Sequence, residues 1–193
     1  DELPPHAQAI DVGKRCGAHS KEQHETTKLI CKCVRQSKKV VRLKGGDPGI
    51  FGRLAEETEA LEKLDIPFRV IPGISALQAA TTGTGMLLTR RDVSRGFVAL
   101  TPRMHGGGLA RCDAEMKDRL PVIYYMSIKA IEPVSRQMLE DGHAPETPAA
   151  LVFNAGGEDE QIIRTTLGEL PNQAQTHCVK QPGLIMVGDF TAH

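Results

Sequence analysis

The chain has 193 residues, 40% of them hydrophobic and 25% charged, so it can bury a real core as one large domain or two small ones. Lys plus Arg and Asp plus Glu number 24 each, a balance that provides no global field for nucleic acid or an anionic membrane; any anionic ligand must be gathered by a local cluster. No stretch approaches the roughly 20 apolar residues of a membrane span, and the opening Asp1-Glu2-Leu3-Pro4-Pro5 has neither the basic nor the apolar region of a signal peptide, so a cytoplasmic location is expected.

Residues 22–37 carry Leu29, Ile30, Cys33 and Val34 at helical spacing and predict an amphipathic helix. Cys31 and Cys33 would point about 200° apart on it, and the total of five cysteines is odd, so reduced thiols are expected. The seven histidines are scattered without the spacing of a metal site, and no metal is expected. Residues 39–44 read as a strand, followed by a glycine-rich loop and a second helix from about 53 to 64. Next come a strand at 68–71, the Pro72-Gly73 turn and a small-residue helix from Ser75 to about Thr82. Helical crossovers between short apolar strands favour a parallel sheet, whose ligands gather where strands end and helices begin.

From Gly96 the pattern changes. Five strand candidates, at 97–100, 121–126, 149–153, 162–166 and 183–187, are accompanied by only two helices, at about 128–141 and 166–175, with Gly106-Gly107-Gly108 as a flexible loop. Strands that adjoin without a helix suggest a mixed sheet. The reading is therefore two α/β domains, 1–94 and 95–193, with the cleft between them as the default site.

Gly45-Gly46-Asp47-Pro48-Gly49-Ile50-Phe51-Gly52-Arg53 carries four glycines in nine residues directly after an apolar strand. Glycines let the backbone turn tightly and approach a ligand without a Cβ, while exposed amides and Asp47 supply directional polar contacts. A plain tight turn is the alternative on composition alone. The pattern is neither G-x-x-x-x-G-K-[ST] nor G-x-G-x-x-G.

Val40-Val41-Arg42-Leu43-Lys44-Gly45-Gly46-Asp47-Pro48, Ile50-Phe51-Gly52-Arg53, Ile66-Pro67-Phe68 and Ile71-Pro72-Gly73-Ile74-Ser75-Ala76 resemble the uroporphyrinogen-III C-methyltransferases of the tetrapyrrole methylase family. The upstream segment 12–20 is similar to that family's G-K-R-x-G-x-H motif, and Leu88-Thr89-Arg90-Arg91-Asp92, Tyr124-Tyr125-Met126 and Leu184-Ile185-Met186-Val187-Gly188 keep its order. The resemblance runs from about Asp11 to Gly188. It implies the tetrapyrrole methylase fold, two α/β domains with S-adenosylmethionine in the cleft between them, in a cytoplasmic homodimer that binds neither nucleic acid nor membrane. The implied reaction is C-methylation of uroporphyrinogen III through precorrin-1 to precorrin-2, with S-adenosylhomocysteine as product, in sirohaem, cobalamin or haem d1 biosynthesis.

By position, the implied cofactor contacts are Gly45, Gly46, Asp47, Ile50, Ser75, Ala76, Met126 and Ala155. Met126 offers a soft apolar surface for adenine, with core packing as its alternative role. The substrate's carboxylates require an arginine cluster, for which Arg15, Arg53, Arg90 and Arg91 fall in or beside the matching motifs; Glu56 stands one helical turn beyond Arg53, placed to orient it or to meet a pyrrole N–H. Lys14 matches the family's catalytic lysine, whose aspartate partner lies on an upstream segment. Nothing before Asp11 resembles that family's opening strand and Gly-Pro-rich loop, so a chain without them is expected. Gly49 stands where the family has an aromatic, Pro102-Arg103 where it has Gly-His, and Phe153-Asn154-Ala155 where it has Glu-Asn-Gly. The alternatives are another methyltransferase of the same fold, such as a cobalamin-pathway precorrin methylase, or a non-catalytic module that binds S-adenosylhomocysteine.

Overall fold

The computed structural model describes residues 3–13, 23–36, 39–102, 109, 120–177 and 182–192. Its contacts divide the chain into two compact units, Asp1–Gly73 and Ile74–His193. The division falls ahead of the 94/95 boundary drawn from the change of pattern, because the small-residue helix belongs to the second unit: its Leu77 and Ala80 are buried with Ile123, Ala150, Val152 and Met186.

In the first unit, α1 (Gln23–Arg35) and α2 (Leu54–Glu62) pack on one another. Both obey the helix dipole at their N-termini, with Glu25 in the first turn of α1 and Glu56 and Glu57 in that of α2. Cys31 and Cys33 are free thiols on α1. The expected strands at 39–44 and 68–71 are a correction. Among the described residues the ladders belong to one sheet, in the second unit, and neither segment joins it. A strand needs a partner for its backbone groups, and the sequence period shows only that side chains alternate. They do alternate here: Arg42 and Lys44 turn to Glu57, while Val41 and Leu43 are 73% and 72% exposed.

The second unit is built on a five-stranded mixed sheet of order β1-β2-β5-β3-β4, formed by β1 (Val98–Leu100), β2 (Val122–Tyr124), β3 (Pro148–Phe153), β4 (Gln161–Thr166) and β5 (Gly183–Val187). β1 and β2 are parallel and every other pairing is antiparallel. All five expected strands are present. The mixed character follows from the scarcity of helical crossovers, since antiparallel neighbours can be joined by short connections.

The sheet is covered on both faces, and the period of two sorts its side chains. Val122, Tyr124, Leu151, Phe153 and Ile185 face α4 (Ile131–Glu140) and α5 (Leu170–Thr176), meeting Ile131, Val134, Met138 and Leu170. Ile123, Ala150, Val152, Leu184 and Met186 face Leu77 and Ala80 of α3 (Ala76–Thr82) and Met86 beyond it. Burial on both faces explains why β3 reads as one unbroken apolar run, Ala149 to Phe153, all buried. The expected helix at 128–141 begins as a 3-10 turn, Ile128–Ala130, before continuing as α4. No helix among the described residues is long and apolar enough to cross a membrane.

Phe153 is fully buried between β5 and the α4–α5 layer. Phe153→Ala is expected to lower stability by about 3–5 kcal/mol, because the cavity it leaves cannot fully collapse. Urea unfolding followed by circular dichroism checks this: the midpoint should fall with the slope unchanged.

Candidate functional site

Two groups of expected site residues are placed, one in each unit. In the second unit, β2 and β3 each pair antiparallel with β5 and so run in the same direction. Their last residues, Tyr124 and Phe153, therefore end at one edge of the sheet. The chain leaves that edge through sharp turns, with Met126 and Asn154 in the left-handed region at φ 52° and 49°. Such a backbone is uncommon for residues with a side chain and tends to collect at functional sites.

The start of α3 is fixed to the same edge. Ser75 caps α3: its Oγ accepts from the Leu77 N–H at 3.1 Å, and the Ser75 N–H donates to Gln78 Oε1 at 3.0 Å. The hydroxyls of Ser75 and Tyr125 lie 2.6 Å apart, and the Tyr125 hydroxyl also accepts from the Leu77 N–H at 3.0 Å. Tyr125 thus ties the first turn of α3 to the residue before Met126. A Cβ on Gly156 would lie 3.2 Å from the Ala79 Cβ, which places the turn containing Ala155 against the same helix. Ser75, Ala76, Met126 and Ala155 are accordingly brought together. Core packing fails as a role for Met126, which is 68% exposed.

In the first unit the glycine-rich loop is held by its own aspartate. Asp47 Oδ1 accepts from the Gly49 N–H at 2.8 Å, and Oδ2 accepts from the Gly73 N–H at 3.1 Å. The second bond brings the loop to the Pro72-Gly73 turn, where a Cβ on Gly73 would come within 2.6 Å of the Gly46 carbonyl oxygen. Only glycine permits that approach. A Cβ on Gly45, by contrast, would meet nothing within 4 Å, so the backbone there is open to a ligand. Ile50 is exposed and donates its N–H to the Asp47 carbonyl at 3.2 Å.

Beneath the loop lies a charged cluster. Glu57 is 4% exposed; its Oε1 accepts from Gln23 Nε2 at 2.9 Å and Arg42 Nε at 3.3 Å, and its Oε2 from Lys44 Nζ at 2.8 Å. Burial pushes this carboxyl up, but hydrogen bonds from Lys44 and Gln23 and the charges of Lys44 and Arg42 outweigh it, so its pKa lies below the ordinary glutamate value. At the loop's far end, Arg53 Nε and Nη2 donate to Glu56 Oε1 and Oε2 at 2.6 and 2.7 Å. The Glu56 carboxylate raises the Arg53 pKa, opposed only by desolvation. Both partners are exposed, so a stronger anion can displace Glu56.

Two further expected arginines belong to the second unit. Arg90 and Arg91 stand in a turn closed by the Arg90–Ser94 bridge. Arg90 lines a cavity of about 570 Å³ with Pro121, Thr147, Val187 and Gly188. Pro121 and Thr147 precede β2 and β3, and Gly188 follows β5, so this cavity is at the opposite edge of the sheet from Met126 and Ala155. Lys14 and Arg15 lie outside the described residues. Sequence reasoning missed Tyr125 as the tether of Ser75 and missed the Glu57 cluster. The available signal was an acidic residue on the apolar side of α2: Glu57 follows Leu54 by three positions and precedes Leu61 by four.

Comparison with known proteins gives relatives in sequence and in fold. The sequence pattern of the Tetrapyrrole (Corrin/Porphyrin) Methylases matches residues 1–171. Siroheme synthase of Vesicomyosocius okutanii is 35% identical over 184 residues, covering 95% of this chain and 40% of that protein. Siroheme synthase 1 of Yersinia enterocolitica is 37% identical over 191 residues, covering 95% and 39%. The chain thus spans about 40% of the length of such curated relatives. The crystal structure of uroporphyrin-III C-methyl transferase from Thermus thermophilus, complexed with S-adenyl homocysteine, superposes with a TM-score of 0.76 at 30% identity over 90% of this chain and 76% of that one. A cobalt precorrin-4 methyltransferase gives a TM-score of 0.79 at 21% identity over 90% and 73%, a likeness of fold.

The Glu57 cluster sets a dependence on pH. Because the folded pKa is depressed, the ionised carboxylate contributes stability above its unfolded value of about 4.3, and that contribution is lost as pH falls through the folded pKa. Glu57→Gln is expected to lower stability at pH 7 and to make the further loss on acidification shallower. Denaturant titrations of parent and variant at a series of pH values from neutral to acid check both effects.

Proposed function

Since this chain belongs to the tetrapyrrole (corrin/porphyrin) methylases and has their α/β fold, we propose that it binds S-adenosylmethionine and methylates carbon on uroporphyrinogen III, through precorrin-1 to precorrin-2. The observation that carries this reading is the convergence of Ser75, Ala76, Met126 and Ala155 on one edge of the sheet. The likeness to a Thermus thermophilus enzyme complexed with S-adenyl homocysteine supports the choice of cofactor. The siroheme synthase relatives support sirohaem biosynthesis as the destination.

The residues suit such a ligand. Open backbone at Gly45 offers a polar approach to a ligand, with Gly46 beside it assigned by its place in the motif, Asp47 retains acceptor capacity beyond its two loop bonds, and exposed Met126 offers a polarizable apolar surface. When bound, S-adenosylmethionine supplies an already activated sulfonium methyl. The protein's contribution is chiefly to hold the pyrrole carbon in line with that methyl. Lys14 is assigned to the acid–base exchange through which the macrocycle would lose a proton once its carbon is methylated, with S-adenosylhomocysteine as the product. Arg53 is assigned to a substrate carboxylate, exchanging Glu56 for it. Arg15, Arg90 and Arg91 keep the carboxylate role implied by their motifs. The same reading has the chain act as a cytoplasmic homodimer on a small molecule, without nucleic acid or membrane.

Two measurements test the reading. S-adenosylhomocysteine at 100 times its dissociation constant should stabilise the chain by about 2.7 kcal/mol, seen as a raised thermal midpoint. Asp47→Ala, which releases both Gly49 and Gly73, should abolish the shift, and an undiminished shift would remove the loop from the cofactor site. Separately, Arg53→Ala should weaken tetrapyrrole binding by about 1.5–3 kcal/mol, with Arg53→Lys recovering part of it and cofactor affinity unchanged. Parallel titrations with uroporphyrinogen III and S-adenosylhomocysteine check this, and equal tetrapyrrole affinity in all variants would defeat the assignment.

A further inference from the structure

Lys44 stands at the junction between the buried Glu57 cluster and the glycine-rich loop. Its side chain is 10% exposed, with Nζ 2.8 Å from Glu57 Oε2. Its stem passes close to the loop's last glycine: a Cβ on Gly52 would lie 3.3 Å from Lys44 Cε and would run into the Pro48 carbonyl. The loop from Gly45 to Gly52 is therefore folded tightly upon itself, with the lysine stem against its closing residue. Glu57 is anchored in turn by Gln23 from α1 and by Arg42. Asp47 secures the loop at Gly49 and Gly73, away from this contact.

The geometry points to Lys44 as a positioning residue, which transmits the fixed location of Glu57 on α2 to the Gly45–Gly52 backbone and so holds the loop amides in their ligand-binding arrangement. A flexible four-carbon stem is suited to this, because it packs along its length and ends in a charge that a buried carboxylate fixes in place. The cluster would otherwise be an odd choice for stability alone, since a buried ion pair is often no better than apolar residues of the same volume. The inference rests on the reading of Gly45 to Ile50 as the cofactor loop, but its mechanical part can be measured without any ligand.

The test uses the 193-residue chain and three variants: Lys44→Met, which keeps the stem and removes the charge; Lys44→Arg, which keeps a cation; and Glu57→Gln, which keeps the shape of the carboxylate. Hydrogen exchange is followed by mass spectrometry in peptides covering 45–52 and, separately, α1 and α2, and S-adenosylhomocysteine is titrated into each protein. Lys44→Met is expected to speed exchange in 45–52 by about tenfold or more, leaving α1 and α2 as in the parent. It should also raise the dissociation constant by about tenfold, with Lys44→Arg recovering most of both effects. If Lys44→Met fails to fold, Glu57→Gln should show the same selective loosening of 45–52. Parental exchange in 45–52 would overturn the inference, as would equal acceleration in α1, α2 and the loop, which would make Lys44 a support of the whole unit. Failure of the parent to bind S-adenosylhomocysteine would instead refute the cofactor reading, and the exchange pattern would then decide the role of Lys44 by itself.

Discussion

The antiparallel strand β5, lying between β2 and β3, is the constraint on which the second unit depends. Each neighbour must run opposite to β5, so the two run alike and their chains emerge at the same edge. The turns bearing Met126 and Ala155 are thus near one another by topology, before any side chain contributes. Register does the rest. Ala150 opposite Met186 and Leu151 opposite Ile185 assign alternate residues to the α3 face and the α4 face. A slip of one position would exchange the two sets and present each helix with the wrong side chains.

The first unit is organised differently, around a buried charge. Two cations face one carboxylate in the Glu57 cluster, so burial leaves positive charge beneath the loop even as the carboxylate is satisfied. Removing the carboxylate leaves the buried Lys44 ammonium without its counter-charge, a far larger effect than the loss of an exposed pair. The Arg53–Glu56 pair is the contrast. It has better geometry, but both groups are half in water, which makes it an exchangeable contact and not a structural one.

Much of this could be read from the residues. The five strands of the second unit were announced by apolar runs bounded by turn residues, and α3 by its run of small residues from Ser75 onward. The glycine-rich loop was recognisable because Gly45, Gly46, Asp47 and Gly52 occur together after an apolar segment. Pairing was less accessible. Residues 39–44 have the composition of a strand, yet composition does not supply the neighbour that makes a ladder, and Val41 and Leu43 are exposed. The grouping of the arginines was also beyond motif order. Arg90 precedes β1 and lines a cavity beside Pro121, whereas Met126 follows β2, so motifs that follow one another in the resemblance stand at opposite edges of the sheet. Neighbouring glutamates were the hardest case: Glu56 and Glu57 are chemically identical, and one helical step of about 100° sends one to solvent and the other into the cluster.

Met126 has a consequence beyond shape. Its side chain is 68% exposed and held outward by a left-handed turn, which leaves the thioether accessible to oxidants dissolved in water. Conversion to the sulfoxide would replace a soft apolar surface with a polar, chiral one, without disturbing the buried sheet below. An oxidisable side chain thereby stands at the proposed cofactor edge, where peroxide damage would act on ligand affinity before it acted on folding, and where a sulfoxide reductase could reverse it.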